Sequence, residues 1–255
     1  MITELSSTGS FRQYLHSLYE DVACFIFPPY CIICKTSLED GKQSVCSQCL
    51  EDIMREIKGT DPYCPVCEKQ YPDIFDRCRR CSGRNSPGKL YALVPMTPHI
   101  REYLHAYKYF GRLEIAEDFA RRAFEMYNDA EFVQQIDVIV PVPLHRRKRL
   151  QRGYNQAEVF ACHLSELFGT PLANNSLKRI KHTKSQTYLN AKQRFENVKG
   201  VFRIIDGKQI RNKRVLLVDD IVTTGATLYE CSRTLKKAGA TTVVSFTIGR
   251  PVIKD

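Results

Sequence analysis

Two adjacent carboxylates, Asp219 and Asp220, close the apolar run 215–218 and are followed at once by Thr223, Thr224, Gly225, Ala226 and Thr227. The order is strand, acidic pair, small-polar loop, helix. Open α/β sheets place ligands at the carboxyl ends of their strands. A loop that opens a helix there points free backbone N–H groups at an anion; Gly225 permits close approach and the threonine hydroxyls add donors. An Asp-Asp pair alone fits a helix-capping turn equally well. The hydroxyl-rich loop at fixed spacing makes the phosphate-binding reading specific.

Cations gather after a second apolar run, 138–142, where the chain continues through Pro143, Leu144 and His145 into Arg146, Arg147, Lys148, Arg149 and Arg152. His145 is a ligand contact or a plain loop residue. Residues 145–214 hold 17 Lys and Arg against 4 Asp and Glu, so the formal charge of +10 is a local device. Such a patch attracts polyanions, either a phosphate-rich small molecule or a nucleic acid backbone; the plain alternative is a solvated face. Arg147, Lys148, Arg149, Arg152, Lys178, Arg179, Lys181 and Lys184 are the candidates for single-stranded DNA. Tyr154 and Tyr188 offer rings for base stacking, or serve only in packing.

Eight of the eleven cysteines form four Cys-x-x-Cys pairs: Cys31 and Cys34, Cys46 and Cys49, Cys64 and Cys67, Cys78 and Cys81. One such turn brings two thiolates to an ion at ~2.3 Å, and a second completes the tetrahedron zinc accepts. A redox dithiol needs only one pair. Two four-cysteine sets therefore predict two structural zinc ions per chain, with no coordination position left for a water nucleophile. Sequential pairing closes two short local loops; an interleaved cross-brace is the alternative.

The elements that must position these groups are legible in the hydrophobic pattern. Runs at 90–94, 138–142, 215–218 and 243–248 alternate with helical spacings at 115–127, 157–168 and 228–238, which predicts an α/β domain with a parallel sheet and flanking helices. Ser82 to Gly88 is a linker of turn-forming residues. The expected division is an N-terminal amphipathic helix in 1–29, a cysteine domain in 30–88 and the α/β domain in 89–255. Cys162 and Cys231 fall on helices, Cys231 on a core face. With 255 residues, no apolar stretch near ~18 residues and no basic leader, the chain is expected to be cytoplasmic and not membrane-inserted.

The stretch 214–227 resembles the fingerprint of type I phosphoribosyltransferases, which bind 5-phosphoribosyl-1-diphosphate (PRPP) with Mg²⁺. That resemblance implies ribose hydroxyls on Asp219 and Asp220, the 5-phosphate in Thr223 to Thr227, and pyrophosphate beside Pro143, Leu144, His145 and Arg146. The cysteine pairs, together with Tyr107-Lys108-Tyr109-Phe110-Gly111-Arg112, Arg152-Gly153-Tyr154-Asn155-Gln156 and Arg194-Phe195-Glu196-Asn197-Val198, resemble the ComF family over nearly the whole chain. The family is associated with natural competence, so the resemblance implies PRPP binding, handling of imported single-stranded DNA, and a partner helicase that would bring the protein to the inner membrane face. It leaves open an active transferase with an unidentified acceptor base. Thr223 stands where the 6-oxopurine enzymes carry an acid.

Overall fold

A computed structural model describes residues 30–38, 44–59, 62–64, 88–181, 183 and 189–252. The N-terminal amphipathic helix expected in 1–29, together with Cys67, Cys78, Cys81, Lys184 and Tyr188, lies outside the described residues. The chain divides into two compact units, 1–52 and 53–255.

In the smaller unit the described chain folds into a tight turn. The Cys31 N–H donates to the Thr36 carbonyl (2.8 Å), Ile32 N–H to Ser44 (3.0 Å) and Lys35 N–H to Cys31 (2.9 Å). Helix α1 (Ser47–Glu56) begins here and carries Cys49.

The larger unit starts at Ile53. Ile53 and Ile57 are buried, and the N–H groups of Gly59 and Tyr63 donate to Leu93 and Leu90 (3.0 Å each). Leu90 and Leu93 belong to β1 (Leu90–Pro95), an edge strand. An open edge exposes unpaired backbone groups, and Gly59 and Tyr63 pair with two of those on this one.

Chain order continues with α2 (Pro98–Tyr109), α3 (Glu114–Tyr127), α4 (Glu131–Gln134), β2 (Val138–Pro141), α5 (Arg146–Arg152) and α6 (Gln156–Phe168). It ends with β3 (Leu177–Arg179), α7 (Ala191–Val198), β4 (Phe202–Ile204), β5 (Arg214–Ile221), α8 (Ala226–Lys237) and β6 (Thr242–Arg250). The main sheet has the order β1-β6-β5-β2, and every pairing is parallel. Its strands are buried on both faces, so they read as unbroken apolar runs rather than alternating ones. Val215 and Leu217 of β5 share a core with Leu228, Cys231 and Leu235 of α8. On the other face Phe246 of β6 stacks on Phe160 of α6, with centroids 6.1 Å apart.

Three elements absent from the sequence-based expectation frame the site. The first, α2, has legible signals: Thr97 caps it through the Ile100 N–H, Pro98 opens it, and Ile100, Tyr103, Leu104 and Tyr107 are buried at helical spacing. The next, α5, is a run of cations capped by His145 and stopped by Gly153 at φ 82°. The third is the antiparallel pair β3–β4, three residues on each strand and too short for a period to show. Among the described residues no helix is long and apolar enough to cross a membrane.

Candidate functional site: a cationic cleft with an acidic floor

A cleft of about 620 Å³ opens at the carboxyl ends of β2 and β5. Asp219 and Asp220 form its floor, held by short backbone bonds. The Asp220 N–H donates to Asp219 Oδ1 (2.9 Å) and the Ile221 N–H to Asp220 Oδ1 (2.7 Å). From α2, Lys108 Nζ reaches Asp220 Oδ2 at 2.8 Å, a contact between two mostly buried side chains. Burial, reinforced by the charge of Asp220, pushes Asp219 well above the usual carboxylate range. Burial works against Asp220 too, but the charge and hydrogen bond of Lys108 outweigh it and hold that carboxyl low.

These opposite shifts predict opposite effects on stability. A raised native pKa makes ionised Asp219 a cost that sets in as pH climbs above the unfolded value, ~3.9. A lowered native pKa makes Asp220 a stabilising group above that value, its contribution lost as pH falls through the native pKa. At pH 7 the ligand-free Asp219→Asn protein should melt roughly 2–4 °C higher and Asp220→Asn lower by a similar amount, with both differences fading toward pH 3. Melting curves of the two variants across pH check this; shifts of one sign at pH 7 would contradict the assignment of charge within the pair.

Beyond the acidic pair, Thr223 and Thr227 line the cleft. Gly225 sits at φ 73° as the residue before α8, a conformation that favours glycine. The Thr224 hydroxyl is buried without a hydrogen-bond partner. An unpaired buried hydroxyl costs about 1–3 kcal/mol, and here it adjoins a helix start, whose dipole favours an anion. Ala226 is the first residue of α8 and is buried.

The rest of the charged lining is positive. Arg101, Lys108, Lys148, Arg152, Arg179 and Arg194 line the cleft with Asp219 and Asp220, six cations against two carboxylates. Burial, then the nearby charges of Arg152, Arg179 and Lys108, lowers Lys148, and burial lowers Arg179, whose buried Nε has no partner. Cations that repel one another in a concave site are stabilised by a polyanionic ligand.

The phosphoribosyl transferase domain family matches residues 152–250, a span that holds both the acidic pair and its hydroxyl loop. Competence protein F of Haemophilus influenzae is 33% identical over 214 residues, covering 82% of this chain and 91% of its own length. The chain belongs to the ComF family. Other relatives of this ComF-family protein are competence protein ComFC of Bacillus subtilis and DNA utilization protein YhgH of Salmonella typhimurium. The first is 28% identical over 82% of this chain and 85% of its own length. The second is 29% identical over 85% of this chain and 94% of its own length. The larger unit of the ComF-family protein has the type I phosphoribosyltransferase fold, a parallel sheet with flanking helices.

The structure sorts the residues singled out in the sequence. Pro143 and Leu144 line the cleft, whereas His145 caps α5 by accepting the Arg147 N–H on Nδ1 (3.3 Å) and Arg146 is exposed on that helix. Of the DNA candidates, Lys148, Arg152 and Arg179 line the cleft. Arg147, Lys178 and Lys181 are exposed, and Arg149 pairs with Glu158 at 3.0 Å. The Tyr154 hydroxyl is donated to the Tyr107 carbonyl, a packing role. Sequence reasoning quoted Lys108 and Arg194 only within family motifs, passed over Arg101, and assigned none of the three to the site. The caps of their helices were the available signal: Thr97 for α2 and, for α7, the Asn190–Gln193 capping box.

In the smaller unit the sulfurs of Cys31, Cys34, Cys46 and Cys49 all lie within 4.8 Å of one another, with Cys34 and Cys46 at 3.7 Å. Four thiolates on zinc stand about 3.8 Å apart, the edge of a tetrahedron with ~2.3 Å bonds. The donor set therefore fits a structural zinc ion, and these two pairs meet as the sequential scheme expects. Cys34 Sγ lies 3.2 Å from the Thr36 hydroxyl, and bonds to Thr36 bring its thiol down to about 6, whereas burial and the neighbouring sulfurs push Cys49 up. Cys64 is buried in the larger unit. Elsewhere Cys231 is buried in the core and Cys162 is exposed on α6.

Proposed function

We propose that this ComF-family protein binds PRPP with Mg²⁺ in the cleft and acts in DNA uptake, handling imported single-stranded DNA. One observation carries the reading: an acidic pair and a hydroxyl-rich helix start share one cleft with six cations. Asp219 and Asp220 suit the ribose hydroxyls, Thr223 to Thr227 the 5-phosphate, and Lys148, Arg152 and Arg179 the diphosphate. Carboxylate oxygens, Thr hydroxyls and a phosphate-bearing ligand are the donor set Mg²⁺ prefers. The relatives' names, competence protein and DNA utilization protein, support the DNA role, as does the local excess of cations. A second zinc ion on Cys64, Cys67, Cys78 and Cys81 and a partner helicase belong to the same reading.

A second reading keeps the same ligand and adds turnover, with the carboxylates favouring a cationic ribose transition state and the cations the departing pyrophosphate. Among the described residues, the cleft is lined by no histidine and no glutamate that could serve an acceptor base. That favours binding without transfer.

PRPP with Mg²⁺ should raise the melting temperature. A ligand at a hundred times its Kd stabilises the native state by ~2.7 kcal/mol, roughly 5–10 °C for a domain of this size. No shift at millimolar PRPP would defeat the reading. Pyrophosphate release in the presence of a panel of bases separates binding from turnover.

A further inference from the structure

Beside the cleft, α2 leaves aromatic surface uncovered. Tyr103 and Tyr107 of this helix are buried, yet Tyr109 is 57% exposed and Phe110 66% exposed. The His105 ring lies 4.6 Å from that of Tyr109 and 5.6 Å from that of Phe110, so three rings form one ledge. Phe110 is held in place: its N–H donates to the Ala106 carbonyl (2.9 Å), and Gly111 follows at φ 67°. The Arg152 guanidinium stands 5.1 Å from the Tyr109 centroid, with Nη2 donating to the Tyr109 hydroxyl at 3.3 Å. Tyr109 and Arg152 both line the cleft. The ledge is therefore continuous with the cationic wall.

Rings left in water forgo burial worth about 25 cal/mol per Å² of apolar surface, and contiguous exposed apolar groups mark interaction sites. Charge decides the partner. The ledge is backed by Arg152 and runs toward Lys148 and Arg179, so its occupant carries negative charge as well as flat apolar faces. We infer that His105, Tyr109 and Phe110 form a stacking platform for the bases of single-stranded nucleic acid, whose phosphates lie on Arg152 and Lys148. Unpaired bases stack on aromatic side chains while cations track the backbone, and this site supplies both in one place. The inference rests on the DNA-handling reading above and names the surface that carries it.

The chain contains no tryptophan, so Phe110→Trp introduces a single indole at the ledge. An oligothymidine strand should quench its fluorescence, and an abasic deoxyribose-phosphate strand of the same length should not. Phe110→Ala should weaken binding of the thymidine strand on the order of tenfold while leaving the slope of affinity against salt unchanged, because a base contact releases no counterions. The PRPP-induced rise in melting temperature serves as the fold control, since Phe110 does not line the cleft. Wild-type affinity in Phe110→Ala, or equal quenching by the abasic strand, would overturn the platform while leaving DNA handling intact. Failure of the wild-type chain to bind any strand would remove the DNA-handling reading itself, and this inference with it.

Discussion

Chelation of the metal on Cys31, Cys34, Cys46 and Cys49 is expected to unfold the described part of residues 30–52. In that segment only Cys31, Leu38, Ser44 and Val45 are buried, far too little apolar surface to offset the ordering of the chain. A structural zinc ion supplies ~10–16 kcal/mol in small Cys-rich folds at neutral pH, more than any other single group here. Elemental analysis should find at least one tightly held zinc ion per chain, and two if Cys64, Cys67, Cys78 and Cys81 hold a second. Cys34→Ser should release the ion of the first set and open 30–52 to protease, while Cys162→Ser should change neither. A Cys34→Ser protein that keeps its full zinc content and its resistance would rule out this ligand set.

The second large effect concerns the acidic floor. Replacing Asp219 and Asp220 together by Asn keeps the shape of the cleft but removes both of the carboxyl groups proposed to hold the ribose hydroxyls. Hydrogen bonds to charged groups contribute about 1.5–3 kcal/mol each, so PRPP affinity should fall by roughly 10² to 10⁴. Calorimetric titration in Mg²⁺ measures it directly; affinity within a few-fold of wild type would mean the ribose sits elsewhere. Arg152→Ala should cost on the order of tenfold or more by the same reasoning, because Arg152 lines the cleft. Arg147→Ala combined with Arg149→Ala should leave PRPP affinity little changed, since Arg147 is exposed and Arg149 is committed to Glu158. If these two substitutions weaken strand binding with a shallower salt slope, the phosphate track extends over α5.

Much of this protein was legible in one dimension because the relevant physics is local. The parallel sheet is written in apolar runs too continuous for strands with a solvated face. The acidic end of the cleft is written in a strand end, two carboxylates and a hydroxyl-rich helix start, all within nine residues from Asp219 to Thr227. The first metal set is written in two Cys-x-x-Cys turns, and the folded chain brings their four sulfurs within 4.8 Å.

What the sequence left open are the groups brought together by packing rather than by spacing. Lys108 meets Asp220 across more than a hundred residues because α2 docks over the strand ends, and no local pattern announces that contact. The run from Arg146 to Arg152 reads as one uniform basic loop; only its folding into α5 divides it, turning Lys148 and Arg152 into the cleft and Arg146 and Arg147 toward solvent. The same helical geometry exposes Tyr109 and Phe110 while burying Tyr103 and Tyr107, four aromatic residues that composition cannot tell apart. Residue types and local spacing determined the fold and the joining of an acidic pair to a hydroxyl-rich helix start; which cations and rings share one cleft was decided by tertiary packing, because side-chain direction depends on helix phase and on how each helix seats against the sheet.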